Sequence, residues 1–362
     1  MSETYHIAVF EGDGIGPEVM APTLDLLQRL GRSHGFALAF ETLPAGAGHY
    51  AQTGEALPAA SLEAARVADA ILLSAMGDPA VRYPDGTEIT PQIDLRIAMG
   101  LYAGVRPVML APGQAGPLRR QGPLDFVLIR ESTEGLFASL GKGEVEADAA
   151  RETLVITRAV SEKLFRFAFR LAARRKAAGR GPGRVTCVDK ANVFRAFAFF
   201  REIFDGEAAR HPDLIADHAY VDAAALWMVT QPQRFDVMVT ENMFGDILSD
   251  LGAGLMGGLG LAPSADIGDE NAVFQPCHGT APDIAGKGLA NPHAMILSAA
   301  MMLDWLGEER GAPALVAVGE QLRRAVQTVV GSGQALTGDL GGSARTDEAA
   351  AAVADALAAE TV

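Results

Sequence analysis

Two carboxylates four residues apart, Asp246 and Asp250, stand in the run Glu241–Asp250, after the apolar stretch Phe235–Thr240 and before glycine-rich residues 252–260. If 245–251 is helical, both lie on one face with Cβ atoms about 5–6 Å apart. Carboxylates that close repel each other unless a cation lies between them. The plainer reading has Asp246 complementing the helix dipole and Asp250 facing water.

Three arginines, Arg96, Arg106 and Arg130, are each embedded in apolar sequence. A buried guanidinium needs an anion, and its planar fork matches a carboxylate. Each alone fits a structural ion pair, with Asp94 or Glu131 at hand; as a trio in an acidic chain they suggest a receptor for a dicarboxylate. Lys190 follows the strand-like run Arg184–Asp189, and Asp222 follows another at Tyr220. Crevices beyond strand C-termini are where open α/β sheets bind ligands. The small residues of 277–288 let a planar ligand lie against backbone, and Asp283 among them could accept ribose hydroxyls while repelling a 2′-phosphate.

The elements that must position these groups alternate as strand and helix. Strands are expected at 7–10, 37–42, 70–75, 184–189 and 235–240, with helices from 17 to about 30 and over 61–68, 158–178, 193–210, 294–306 and 314–330. That pattern is α/β, with a sheet covered by helices on both faces. The turn Gly12-Asp13-Gly14-Ile15-Gly16 has GxGxG spacing rather than GxGxxG, and no acid closes a second strand at the usual distance, so a dinucleotide-fold reading is declined. Residues 77–91 form a long loop, and 134–157 is charged, glycine-broken and then β-rich, as an extended arm would be.

A chain of 362 residues with 49% apolar content can bury a large core, as one large or two medium domains. The formal net charge of −15 argues against a nucleic-acid partner. The basic helix at 158–178 therefore reads as a solvated face. Cys187 and Cys277 suggest neither a disulfide framework nor a zinc site, and His211 and His218 have no metal-pair spacing. The apolar run 294–303 is too short to span a bilayer and 7–10 too short for a signal core, so no membrane partner and a cytoplasmic location are expected.

In order along the chain, Gly12–Glu18, the three arginines, Val188–Asn192, Tyr220–Asp222, Asn242–Asp250 and His278–Asn291 resemble the β-decarboxylating dehydrogenases, a family that includes isopropylmalate, isocitrate, homoisocitrate, tartrate and D-malate dehydrogenases. The resemblance runs from Ile7 to Gly342. It implies a two-domain fold with a mixed central sheet: a larger, cofactor-side domain of 1–103 and 257–362, and a smaller dimerisation domain of 104–256 whose arm, at about 134–157, clasps a second subunit. It also implies a homodimer with shared active sites. Asp246 and Asp250 of one subunit and Asp222 of its partner would bind Mg²⁺ or Mn²⁺, and Lys190, helped by Asp222, would remove the hydroxyl proton. Arg96, Arg106 and Arg130, with Thr90, Gln92 and Asn192, would hold a hydroxy-dicarboxylate. Ile15, His278, Gly279, Thr280, Ala281, Asp283, Ile284 and Asn291 would hold the cofactor, and the Asp283-Ile284 pair implies NAD rather than NADP.

The implied activity is NAD- and metal-dependent oxidation, with decarboxylation, of a 3-substituted malate, 3-isopropylmalate first. Tartrate, D-malate and isocitrate are alternatives, and a non-catalytic regulatory subunit is another of a different class. Two positions depart from the pattern. Phe137 stands where the family carries a tyrosine acid. Thr90 and Gln92 are polar where isopropylmalate enzymes place leucines, although Ile89 and Ile93 remain apolar.

Overall fold

The computed structural model describes residues 3–118 and 124–360. The chain opens with β1 (Thr4–Phe10), α1 (Gly16–His34) and β2 (Ala37–Thr42); α2 (Ala47–Thr53) and α3 (Ala59–Val67) lead to β3 (Ala70–Leu73) and, after the long loop, α4 (Pro91–Ala98). Next come β4 (Ala103–Met109), β5 (Asp125–Glu131) and a small ribbon, β6 (Glu144–Val145) with β7 (Ala150–Arg151). Then follow α5 (Arg158–Ala177), β8 (Arg184–Asp189), α6 (Arg195–Ala208), β9 (Ile215–Tyr220), α7 (Val221–Thr230), β10 (Val237–Thr240) and α8 (Asn242–Met256). The chain closes with β11 (Pro263–Ile267), β12 (Ala272–Pro276), α9 (His293–Glu309), α10 (Pro313–Ser332) and α11 (Thr346–Glu360).

Ten strands form one mixed sheet in the order β2-β1-β3-β12-β11-β4-β5-β10-β8-β9. The strands outside the middle run parallel, whereas β12, β11, β4 and β5 pair antiparallel in succession. Strands covered on both faces read as unbroken apolar runs, and β3 (AILL) and β10 (VMVT) are buried at every position. The edge strand β9 is mostly exposed.

Helix α8 begins three residues before the expected 245. The reason is Glu241, whose carboxylate accepts the backbone N–H groups of Phe244 at 2.7 Å and Met243 at 3.2 Å and so caps the first turn. The helix then continues through Gly252 and Gly254 to a left-handed stop at Gly257.

Residues 153–157, β-rich in composition, add no strand to the sheet. Val155 exchanges two backbone hydrogen bonds with Gly135, and Thr157 is already the cap of α5, accepting from the Val160 N–H at 3.3 Å. Beyond the Gly135–Val155 bridge project a short turn and the exposed β6–β7 ribbon, with Val145 84% exposed.

The basic helix α5 keeps Arg166, Arg170 and Arg174 exposed, as a solvated face would, and adds ion pairs along it. Arg158 meets Glu202 of α6, Lys163 meets Asp269 of the β11–β12 turn, Arg174 meets Glu308 of α9, and buried Arg175 meets Asp125 and Asp236. No described helix is long and apolar enough to cross a membrane.

Candidate active site

Across the antiparallel middle of the sheet, Asp266 of β11, Gly104 of β4 and Arg130 of β5 stand in one register row. Side chains two residues apart share a sheet face, so Arg106 and Ser132 join that face. Glycine at 104 makes the room: a Cβ there would fall 2.5 Å from Ser132 Oγ and 3.1 Å from Asp266 Oδ1.

Into that room comes the fully buried Asp266 carboxylate. It accepts from Arg96 Nε at 2.9 Å, Arg106 Nη2 at 3.2 Å, Gln275 Nε2 at 2.8 Å and Ser132 Oγ at 3.2 Å. Burial pushes its pKa up, but Arg96, Arg106 and Arg130 outweigh burial and hold it below the usual carboxylate range. Asp94 and Glu131, the partners expected for a purely structural pairing, do not fill that role. Glu131 instead caps the next turn through Thr133 N, Thr133 Oγ1 and Glu134 N at 2.7–2.8 Å. Sequence reasoning missed Asp266; its signal was a lone acid inside an apolar run of a chain with three apolar-embedded arginines.

Arg130 binds the other way, toward α8. Its Nε and Nη2 both donate to Asn242 Oδ1, at 2.9 and 2.7 Å, and its Nη1 donates to Asp246. Burial, reinforced by Arg96 and Arg106, lowers this guanidinium to about 10 despite Asp246. It remains a cation at neutral pH.

Asp246 and Asp250 do share one exposed face of α8. Burial and then the neighbouring Asp246 push the Asp250 carboxyl above its ordinary range, the mark of two anions without enough counter-charge. Their all-oxygen, mutually repelling character fits a hard divalent cation. Among the described residues of one chain, however, no three His, Cys, Asp or Glu side chains gather closely enough to hold a metal ion. Asp222 lies elsewhere, at the first turn of α7, hydrogen-bonded to Lys190, which holds its carboxyl below the ordinary range. The expected three-carboxylate site is thus incomplete within one chain. Asn192 is exposed in the turn after β8.

A cavity of about 280 Å³ gathers much of the rest. Arg96, Arg106, Arg130, Asp246, Asp250, Gln92, His278 and Gly279 line it, together with Ile93, Phe137 and Cys277. Thr90 does not; it is the half-buried residue preceding α4. Ile89 also turns away, fully buried against Ala47 and Ala56. Three buried polar atoms on the cavity-lining residues, Ser74 Oγ, Gln92 Oε1 and His278 Nε2, have no partner within the described residues, so the cavity offers hydrogen bonds to a ligand.

The cofactor residues named from the sequence fall on two joined loops. Ile15 N donates to Thr280 O at 2.9 Å, and Asp13 ties the first loop to the N–H groups of Ala47, Gly48 and Gly77, each at 2.8 Å. Ala281 takes a left-handed conformation (φ 39°), which strains a residue bearing a Cβ. Asp283 is exposed, Ile284 is half-buried, and the Asn291 amide is engaged at both ends, with Asp339 and with the His293 N–H. The unpartnered His278 nitrogen and the exposed Asp283 fit a nucleotide lying along this loop.

The chain matches known proteins over nearly its whole length. A family model described as isocitrate/isopropylmalate dehydrogenase matches residues 6–355. The chain is 43% identical over 353 residues to a 3-isopropylmalate/3-methylmalate dehydrogenase of Methanocaldococcus jannaschii, covering 97% of this chain and 98% of that one. It is 40% identical over 352 residues to the homoisocitrate dehydrogenase of the same organism, covering 94% of each. Among solved structures, an isocitrate dehydrogenase from Methylococcus capsulatus superposes with a TM-score of 0.84 at 37% identity, over 98% of this chain and 99% of that one.

Proposed function

Since this chain belongs to the isocitrate/isopropylmalate dehydrogenase family, we propose that it oxidises and decarboxylates a 3-substituted malate, of the 3-isopropylmalate kind, using NAD and Mg²⁺ or Mn²⁺. The observation that carries this reading is the single cavity in which three guanidiniums face Asp246 and Asp250.

Arg96, Arg106 and Arg130 orient the substrate carboxylates. Asp246 and Asp250, with Asp222 of a second copy, hold the metal, and Lys190 of that copy, steered by Asp222, takes the proton of the C2 hydroxyl. When bound, the ion would supply Lewis acidity and NAD a hydride acceptor. Phe137 has no transferable proton, so the carbon left after CO₂ departs is protonated by water. Exposed Ile247, Leu226 and Met243 on α7 and α8 support an apolar dimer face, which makes the catalytic unit a homodimer. In that assembly 1–103 with 257–362 form the cofactor-side domain, 104–256 the dimerisation domain, and the projecting ribbon an arm across the partner. The acidic charge suits a cytoplasmic enzyme.

Gln92 in the cavity favours a second reading, a polar C3 substituent as in tartrate or isocitrate. A retired regulatory subunit is disfavoured, because it has no use for Asp246 and Asp250 facing each other. The test is NADH formation with Mn²⁺ across a panel of C3-substituted malates, with CO₂ quantified. Turnover of one dicarboxylate with equimolar CO₂ is expected, and no turnover on any substrate would refute the enzymatic reading. A kcat/KM favouring NADP would remove the role given to Asp283.

A further inference from the structure

Resting on the dehydrogenase reading above, we propose that Asp266 is a positioning and specificity-determining residue: by taking up guanidinium charge from behind the cavity, it matches the site to substrates with two carboxylates and against those with three.

The geometry divides the three arginines into different tasks. Arg106 is largely engaged with the protein, its Nη1 donating to Val105 O and Ala265 O and its Nη2 to Asp266. Arg130 is committed to Asn242 and Asp246. Arg96 gives Asp266 only its Nε, and its two Nη nitrogens have no partner among the described residues. A carboxylate entering the cavity therefore finds the most open fork at Arg96, whose direction Asp266 sets, beside the N–H groups that Arg106 and Arg130 have left over. Gln275 and Ser132 fix Asp266 in turn, so the carboxylate cannot swing aside when a ligand arrives.

Charge balance gives the selectivity. The charged side chains that line the cavity are Arg96, Arg106, Arg130, Asp246 and Asp250, and Asp266 stands behind two of the arginines. Three guanidiniums against three carboxylates, with Lys190 of the second copy balanced by its own Asp222, leave the site neutral. A divalent cation then creates an excess that two substrate carboxylates cancel. A third carboxylate would be an anion without a cationic partner in a half-enclosed site, where the like charge of Asp246, Asp250 and Asp266 disfavours it. With asparagine at 266 the site carries one more positive charge, and the third carboxylate acquires a partner.

Titration calorimetry on the full chain with Mg²⁺ present tests this, using succinate and propane-1,2,3-tricarboxylate as probes that cannot be turned over. The wild type is expected to bind succinate about tenfold or more tightly than the tricarboxylate, and Asp266→Asn to move that ratio toward the tricarboxylate by about tenfold or more. A residue serving only to hold the fold would weaken both probes alike. An unchanged ratio in Asp266→Asn, or a wild type that prefers the tricarboxylate, overturns the proposal; if that variant does not fold, Ser132→Ala, which loosens Asp266, must shift the ratio measurably or the proposal falls. If neither probe binds the wild type, the dicarboxylate reading itself fails and takes this proposal with it, whereas an unchanged ratio refutes only the role of Asp266.

Discussion

Gly245 lies flush against Arg130: a Cβ built on Gly245 would fall 2.6 Å from both Cβ and Cγ of Arg130. Two effects of Gly245→Ala oppose each other. Helix propensity favours alanine by about 1 kcal/mol, while forcing a methyl into a filled contact costs about 1–3 kcal/mol. The clash is with the unyielding base of the Arg130 side chain, so overpacking wins. Urea denaturation should show net destabilisation, and the displaced guanidinium should weaken succinate binding. A more stable variant with unaltered binding would show that α8 can shift freely on β5.

Lys190 and Asp222 are bonded to each other at the surface, with 26% and 67% of their side chains exposed. Lys190→Met should lower kcat by about 10²–10⁴, the usual range for a lost proton-transfer group. The unfolding free energy should stay within about 0.5 kcal/mol, as for an exposed substitution. Equal losses in activity and stability would mark the pair as structural.

Phe137 lines the cavity with its ring centroid 5.7 Å from the Arg130 guanidinium carbon. Phe137→Tyr places a hydroxyl in the cavity. The rate at which protonated, decarboxylated product appears, followed by NMR, should rise in this variant. An unaltered rate would mean that protonation never limits turnover.

His293, at the start of α9, has no hydrogen-bond partner on either ring nitrogen among the described residues, and burial pulls it down to about 4 despite Asp339. The folded protein keeps the ring neutral, while the unfolded chain takes up a proton near pH 6.5. Its contribution to stability is therefore complete above pH 6.5 and is lost on acidification toward pH 4, by roughly 1.4 kcal/mol per pH unit. Denaturation of His293→Leu should show a shallower decline between pH 6.5 and 4 than the wild type. Parallel curves would mean that the ring is protonated inside the fold.

Much of the site was legible in the sequence because it is carried by local pattern. The spacing of Asp246 and Asp250 announces a shared helix face, and arginines inside apolar runs announce buried cations in want of anions. Asp266 was illegible because β11 and β12 are five residues each and buried on both faces, so they lack the alternation that marks a strand, and the acid in β11 reads as a loop residue. The orientation of Ile89 was equally hidden. It precedes α4 and packs into a pocket made by α2, an element of seven residues without a strong helical stripe. Asp222 was recognisable by type, but its use depends on a second copy of the chain, which no intrachain spacing encodes.

Most of the cradle and the substituent contacts rest on very different foundations. Asp266, Arg106 and Arg130 belong to the innermost strands, where any exchange disturbs neighbours on both sides, whereas Gln92 and Ile93, with Arg96 one turn on and anchored to Asp266, ride on an eight-residue helix at the end of a loop. A lineage built this way can change the appetite of the enzyme for one side group or another by editing a few peripheral positions, while recognition of the shared acid backbone stays frozen. Diversification of diet, in such an architecture, comes far more readily than diversification of chemistry.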